Sequence, residues 1–118
     1  MYRNHIVLAG FLARDAESRG GDDSTPFVVL TLVTKSSWRD KDGGWKTHSE
    51  YHRCVAWGAR FTDVAALKRG AHLQIEGELR TREYEKDGSA QRISEIRVCT
   101  ILRLQNVWGQ PESVPADA

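Results

Sequence analysis

The chain is organised around the run Ser49-Glu50-Tyr51-His52-Arg53-Cys54-Val55-Ala56-Trp57-Gly58. This run is typical of a β-strand that carries aromatic rings and a cation. Because strand side chains alternate between two faces, Tyr51, Arg53 and Trp57 share one face. Two flat rings and a guanidinium in one row can pack in a core or form an exposed binding platform, and residues elsewhere in the chain distinguish these possibilities.

Length and composition indicate one folded domain. The 118 residues suffice for a single core, and 40% apolar with 28% charged residues is ordinary for a globular chain. The formal net charge of +1 provides no overall attraction to polyanions. However, residues 105–118 hold two of the 16 acids and no Lys or Arg, which leaves 14 acids against all 17 cations in residues 1–104.

The cysteines and the N-terminus indicate an intracellular, reducing compartment. Cys54 and Cys99 lie in apolar, strand-like runs, so buried free thiols are expected rather than a disulfide framework. Residues 1–5 contain no apolar signal core. The longest apolar run is far short of the roughly 20 residues that a membrane helix needs.

Five segments predict strands, because β-branched, aromatic or alternating apolar residues dominate them. They span residues 6–12, 27–34, 49–58, 71–84 and 92–104. Gly10, inside the first segment, indicates a bulge or a close approach of backbone. The apolar pattern stops between residues 35 and 47, and Arg39-Asp40-Lys41-Asp42-Gly43-Gly44 predicts the tip of a long hairpin, which Trp38 and Trp45 flank.

One short helix is predicted after the third strand. Phe61, Val64 and Ala65 have the i, i+3, i+4 spacing of a helix face, and Gly70 is a typical helix stop. A helix between the third and fourth of five strands is the layout of the OB-fold, so we expect an all-β, five-stranded OB-fold Greek-key barrel. The domain spans residues 1–104, and residues 105–118 are expected to be an irregular C-terminal segment.

Metal-site and catalytic patterns are weak. His48, His52 and Cys54 share a strand face, but they offer three ligands at most and lack the second pair of a zinc motif. Neighbouring strand residues such as His48 and Ser49 point to opposite faces, so they do not form a nucleophile–base pair. Glycine-rich phosphate loops are also missing from the sequence. We therefore expect no metal, no cofactor and no enzymatic activity.

Aromatic residues with nearby cations favour nucleic-acid binding instead. The rings are Trp38, Tyr51, Trp57 and Tyr84, and the nearby cations are Lys35, Arg39, Lys41, Arg53, Arg60, Arg80, Arg82 and Lys86. Single-strand binding combines stacking of bases on rings, at about 1–3 kcal/mol each, with cations that follow the phosphates. A single strand aromatic is more often a core residue, but four such clusters on one predicted OB-fold favour binding.

From about Asn4 to about Leu104 the chain resembles bacterial single-stranded DNA-binding proteins of the OB-fold type. The matching segments are Asn4-His5-Ile6-Val7-Leu8-Ala9-Gly10, Ser37-Trp38-Arg39-Asp40, Glu50-Tyr51-His52-Arg53, Trp57-Gly58 and Ile75-Glu76-Gly77-Glu78-Leu79-Arg80-Thr81-Arg82. The resemblance implies non-sequence-specific binding and protection of single-stranded DNA in replication, recombination and repair. It also implies a cytoplasmic, nucleoid-associated homotetramer with no membrane partner.

The resemblance also implies roles for particular residues. It places stacking rings at Trp38, Tyr51, Trp57 and Tyr84, and DNA-backbone contacts at Lys35, Arg39, Lys46, Arg53, Arg80, Arg82 and Arg92. His52 matches a histidine of subunit contacts, and the first strand resembles the one that pairs protomers. On the central strand, odd positions would therefore face DNA, whereas His52 and Cys54 would face protein.

The chain departs from the family pattern in three respects. Tyr51 and Tyr84 stand where tryptophan is common, and residues 16–25 match poorly. Family members typically continue through a flexible linker to an acidic tip ending in Pro-Phe that recruits replication and repair enzymes. This sequence ends at Val114-Pro115-Ala116-Asp117-Ala118 without such a tip. It is either the binding domain of a longer protein or a naturally short form.

Two other functions compete with the family's. A primosome accessory OB-fold adaptor, which is short, dimeric and without an acidic tail, fits the chain end. The segments around Tyr51 and Arg80 fit the first family better. An OB-fold module that contacts only proteins is the third possibility, and it predicts no DNA binding at all.

Overall fold

A computed structural model describes residues 1–20 and 25–104. The predicted irregular segment 105–118 lies outside the described residues. The elements are β1 (Ile6–Leu12), β2 (Glu17–Arg19), β3 (Phe27–Arg39), β4 (Trp45–Trp57), a 3₁₀ helix (Ala59–Ala66), β5 (His72–Lys86) and β6 (Ser89–Arg103). Within these residues, no helix is long and apolar enough to span a membrane.

Five of the strands close into a barrel. β5 pairs antiparallel with both β1 and β6, and β3 pairs antiparallel with both β1 and β4. A short parallel contact between β4 and β6, at Cys54↔Ile96 and Val55↔Arg97, closes the ring. The short β2 adds to the edge of β3. The predicted five-stranded OB-fold barrel is therefore confirmed, and β2 is an additional strand in the poorly matched region.

The predicted helix lies between the strands that were expected to flank it, β4 and β5. It is a 3₁₀ helix that ends at Ala66, earlier than the stop predicted at Gly70. The backbone N–H of Leu67 donates to the carbonyl of Val64, which completes the last turn. Phe61 is the buried residue of this helix and packs in the barrel core.

The core fills the barrel interior with alternate residues of the strands. It contains Leu12, Val28, Leu30, Leu32, Cys54, Ala56, Phe61, Ala71, Leu73, Ile75, Ile96 and Val98. Burial of each large side chain contributes roughly 1.5–3 kcal/mol relative to exposure. This burial also raises the pKa of the Cys54 thiol to about 12. Cys54 therefore stays a protonated, unreactive core thiol at neutral pH.

The expectation that Cys99 is also buried is wrong. Thr100 pairs with Glu76 and Val98 pairs with Gly77, so Cys99 is the extra residue of a β-bulge in β6. Cys99 follows the buried Val98 on β6, so alternation along the strand turns its side chain outward, and it is exposed. The described cysteines therefore form no disulfide.

Two long hairpins extend beyond the barrel and end in tight turns. In the β3–β4 turn, the Asp40 carboxylate accepts hydrogen bonds from the backbone N–H groups of Asp42 and Gly44, at 3.0 and 2.9 Å. The β5–β6 turn has Asp87 and Gly88 at φ 52° and 80°, the left-handed geometry of a two-residue hairpin loop. The predicted tip of the β3–β4 hairpin is therefore confirmed.

Two glycines allow strands to approach closely where the barrel closes. A Cβ atom on Gly10 would overlap the backbone carbonyl oxygen of Val33, because β1 passes from β5 to β3 at this point. A Cβ atom on Gly77 would overlap the carbonyl oxygen of Arg97 beside the bulge. The close backbone approach predicted at Gly10 is therefore confirmed.

We predict that Gly10→Ala or Gly77→Ala lowers the free energy of unfolding by about 1–3 kcal/mol, because a strand must shift to admit the methyl group. Urea denaturation measures the change. Gly44→Ala is the matched control, because a Cβ there makes only ordinary contacts at 3.6 Å with the Asp40 carboxylate. The control should stay within about 0.5 kcal/mol of the wild type. Equal stability of all three variants would contradict the closure role of Gly10 and Gly77.

Candidate nucleic-acid interface

The pairing register of the β3–β4 hairpin shows which residues of β4 lie on each face of that strand. Cross-strand partners share a face, and Tyr51, Arg53 and Trp57 pair with Val33, Thr31 and Phe27 on the outside of the barrel. Tyr51 is 66% exposed and Trp57 is 39% exposed. The even-numbered Cys54 and Ala56 are buried in the core. The predicted common face of the two rings and Arg53 is therefore confirmed, and it is the outer face.

His52 lies on the inner side of the same strand, where it is half-buried. Its Nε2 atom is 2.9 Å from the Thr34 hydroxyl oxygen, so the two side chains form a hydrogen bond across the hairpin. The neighbouring His48 instead has its Nε2 atom 3.1 Å from a Glu50 carboxylate oxygen. In the part of the chain that the structure describes, no group of three His, Cys, Asp or Glu residues is arranged to hold a metal ion.

An open basic groove runs along the outer face where β4 meets β6 and β5. It consists of two adjoining depressions of about 320 and 350 Å³ that share Val55, Trp57, Arg82 and Glu95. The other residues that line the groove are Phe27, Arg53, Arg80, Thr81 and Arg97. Because the β4–β6 pairing places Arg97 beside Val55, residues that are about 40 positions apart in sequence line one surface.

Glu95 lies at the floor of the basic groove and holds two of its arginines. Its two carboxylate oxygens accept hydrogen bonds from Nε of Arg53, at 2.9 Å, and from Nε of Arg82, at 3.0 Å. The Glu95 side chain is 11% exposed, whereas those of Arg53 and Arg82 are 32% and 49% exposed. Since each guanidinium uses Nε here, its terminal amino groups keep further donors for an anionic ligand.

Aromatic rings along this face have arginines beside them. The Trp57 ring packs against Phe27 with centroids 4.4 Å apart and an interplanar angle of 30°. The Arg97 guanidinium carbon lies 6.0 Å from the Trp57 ring centroid. On the β5–β6 hairpin, the guanidinium carbon of Arg82 lies 5.9 Å from the ring of Tyr84, which is 40% exposed. These distances suit cation–π attraction.

The structure separates the predicted residues of the β3–β4 hairpin between its two faces. Trp38 pairs with Lys46, and Arg39 pairs with Trp45. Neighbouring residues of a strand face opposite ways, so Trp38 and Lys46 lie on the face opposite to Arg39 and Tyr51. Trp38 is 48% exposed, and Nζ of Lys46 is 3.8 Å from the Asp40 carboxylate. The four predicted rings therefore do not form one continuous row.

The remaining predicted cations lie at three places. Arg80 lines the basic groove and donates two hydrogen bonds to the Glu78 carboxylate, the shorter of them 2.9 Å. Lys35 lines a separate depression next to the stacked rings of Phe11 and His72. Arg92 pairs across the hairpin with Glu83 and so faces away from Tyr84.

Sequence reasoning missed two charged residues of the groove, Glu95 and Arg97. Arg97 alternates with the apolar Ile96 and Val98, so its outward direction could have been inferred from the strand pattern. The pairing of Arg97 with Val55 on β4 could not have been inferred, because the parallel contact between β4 and β6 involves only two residue pairs. A lone glutamate in a strand likewise gives no sign that two arginines from other strands surround it.

The arrangement combines flat rings with fixed guanidinium groups on an open surface. Rings offer a stacking surface to any base, whereas guanidinium groups bind phosphate through charge-assisted hydrogen bonds. Four arginines line the groove, and Glu95 is the single acidic residue in that lining. The site is therefore suited to an extended, flexible polyanion that carries aromatic bases.

Known proteins resemble this chain in sequence and in fold. A model of the single-strand binding protein family matches residues 3–104. Single-stranded DNA-binding protein 1 of Chlorobaculum tepidum is 35% identical over 105 residues, which cover 86% of this chain and 64% of that protein. This chain therefore corresponds to less than two thirds of the length of that relative.

Two solved structures share the fold. The Plasmodium falciparum SSB complex with ssDNA superposes with a TM-score of 0.78 at 22% identity, covering 89% of this chain and 97% of that chain. A deletion mutant of the single-stranded DNA binding protein from Thermus aquaticus superposes with a TM-score of 0.73 at 25% identity. That match covers 89% of this chain and 52% of the other.

We predict that Glu95→Ala lowers the free energy of unfolding by about 1–3 kcal/mol, because two guanidinium groups lose their shared, nearly buried acceptor. Urea denaturation measures this loss. Glu83→Ala is the matched control on β5, since its ion pair with Arg92 is 3.8 Å long and both side chains are about 70% exposed. The control should change stability by less than about 0.5 kcal/mol. A similar loss in both variants would contradict a special role for Glu95.

Proposed function

The chain belongs to the single-strand binding protein family, and we propose that it binds single-stranded DNA without sequence specificity. The DNA would be protected in this way during replication, recombination and repair. The observation that carries this proposal is the basic groove, in which Trp57 lies among four arginines on the outside of the OB-fold barrel. The family model covers nearly all of the described residues, including every residue of that groove.

In the proposed complex, bases stack on exposed rings while phosphates meet the guanidinium groups. Trp57 offers a ring already supported by Phe27, and Tyr51 extends the surface along β4. Arg53 and Arg82 are held by Glu95, so their ordering does not have to occur when DNA binds. Neither stacking nor phosphate contact depends on base identity, which explains binding without sequence preference.

The remaining residues implied by the family resemblance are part of the proposal. Trp38 and Lys46 would contact DNA on one face of the β3–β4 hairpin, and Arg39 on the other. Tyr84 and Arg92 would act on opposite faces of the β5–β6 hairpin, with Lys35 and Arg80 as further phosphate contacts. This distribution favours a strand that wraps around the hairpins over one that crosses a single flat surface. Residues 1–104 would form the binding domain of a protein that acts by stoichiometric binding, not by catalysis.

We expect poly(dT) to quench the tryptophan fluorescence of the protein, because bases stack on exposed indole rings. The apparent affinity should fall as salt rises, with a slope of log K against log salt of about −0.7 for each phosphate neutralised. Fluorescence titration with poly(dT) between low and moderate salt measures both effects. Double-stranded DNA of the same length is the control ligand and should bind more weakly. Undetectable binding, or binding that salt does not change, would refute the proposed function.

We further propose that the protein acts in the cytoplasm as a homotetramer with His52 near a subunit contact. The family resemblance supports this assembly, and β1 offers a strand for pairing with another protomer. Sedimentation equilibrium of the 13.3 kDa chain should then give the mass of four chains. A stable dimer would instead favour the primosome accessory adaptor, and a monomer would refute both assemblies.

A further inference from the structure

We propose that Trp45, together with Arg39, forms a further base-stacking site for single-stranded DNA at the tip of the β3–β4 hairpin. The family resemblance implies a role for Trp38 and Arg39 at this tip but none for Trp45. The inference rests on the proposed function, because the ligand is the same DNA strand. It adds a residue that would lengthen the path of that strand beyond the basic groove.

Trp45 has an exposed indole ring that does not pack in the barrel core. It begins β4 and is 68% exposed, compared with 48% for Trp38 and 39% for Trp57. The hairpin tip lies beyond the core residues of β3 and β4, so the indole buries little apolar surface in this chain. A large ring held in water loses the burial free energy that normally stabilises an aromatic side chain. Its position is therefore suited to contact with a ligand.

The pairing register of β3 with β4 places Trp45 on the same face of β4 as Tyr51 and Trp57. Trp45, Tyr51 and Trp57 are all odd-numbered residues of β4, and their partners Arg39, Val33 and Phe27 lie on the outer face of β3. The three rings are six residues apart along the strand, or roughly 20 Å at each step. Trp45 therefore extends the row that begins in the basic groove, whereas Trp38 lies on the opposite face.

Trp45 also repeats the combination of ring and arginine found at Trp57 and Tyr84. The Arg39 guanidinium carbon lies 5.6 Å from the Trp45 ring centroid, compared with 6.0 Å for Arg97 and Trp57. Arg39 also donates a hydrogen bond of 3.3 Å to the carbonyl of Gly43 in the turn. The guanidinium is thus held beside one face of the indole and can meet a phosphate, while a base stacks on the free face.

The turn that carries this pair is itself braced. The backbone N–H of Asp40 donates to the carbonyl of Gly44 at 2.8 Å, and that of Gly43 donates to the carbonyl of Asp40 at 3.1 Å. The Asp40 carboxylate accepts a further hydrogen bond from Gly44. Because the turn is held by its own hydrogen bonds, the ring is presented on an ordered hairpin and less ordering is required on binding.

The test compares the affinities of several variants for a fluorescein-labelled oligo(dT) by fluorescence anisotropy. Trp45→Ala should weaken binding about five- to hundred-fold, the equivalent of one lost stacking contact. Trp45→Phe keeps a ring and should stay within about threefold of the wild type. Trp57→Ala is the reference for loss of a groove ring and should weaken binding to a similar extent. Leu102→Ala, which removes an exposed apolar side chain from β6 outside the groove and the hairpin, should bind like the wild type.

The outcomes separate this inference from the proposed function. Failure of the wild type to bind oligo(dT) refutes the proposed function. Normal binding by Trp45→Ala, while Trp57→Ala is weakened, overturns the role of Trp45 alone. If Trp45→Ala binds oligo(dT) normally but forms a smaller assembly than the wild type, the stacking role of Trp45 is also overturned, because Trp45 is then a contact between protomers.

A second measurement does not depend on the alanine variant folding. In a protein with Trp38, Trp57 and Trp108 replaced by Phe, Trp45 is the remaining tryptophan. Poly(dT) should quench its fluorescence, with saturation at the same concentration that saturates the anisotropy signal. Fluorescence that stays constant while the oligonucleotide binds overturns the inference.

Discussion

The short parallel contact between β4 and β6 is the constraint on which the barrel and its outer surface depend. Two residue pairs, Cys54↔Ile96 and Val55↔Arg97, join β4 to β6 and close the ring of strands. The first pair contributes two buried side chains to the core, and the second places Arg97 beside the groove floor. The same contact therefore closes the hydrophobic interior and brings together the residues of the basic groove outside it. The stability of the barrel and the proposed function both depend on this contact.

Next to the β4–β6 contact, Glu95 allows several arginines to lie close together in the folded protein. Arginines that face one another repel, and a nearly buried carboxylate between Arg53 and Arg82 reduces that repulsion in the free protein. Each arginine donates through Nε alone to Glu95, so the pairing leaves donors available for phosphate. The carboxylate lowers the net charge of the groove, but it holds the guanidinium groups in place in the free protein. Such preorganisation reduces the entropy cost of binding.

The two hairpins that extend beyond the barrel explain why so many rings are exposed. A ring on a barrel strand can pack in the core, whereas a ring on a hairpin beyond the core has no hydrophobic interior to pack in. Trp38, Trp45 and Tyr84 lie in these extensions, and each is at least 40% exposed. Arginines beside Trp45 and Tyr84 add charge to the rings. The hairpins thereby extend the exposed rings and arginines outward from the groove, along the path proposed for the DNA.

Alternation, helical spacing and the position of glycine were enough to predict the five barrel strands, the helix between the third and fourth of them, the close approach at Gly10 and the shared face of Tyr51, Arg53 and Trp57. These features depend on local backbone geometry, which a short segment of sequence carries. The bulge at Cys99, the position of Arg97 beside Val55 and the meeting of Arg53 with Glu95 depend on pairing between distant strands. Registers of this kind follow from how the closed barrel packs as a whole, so no single segment encodes them.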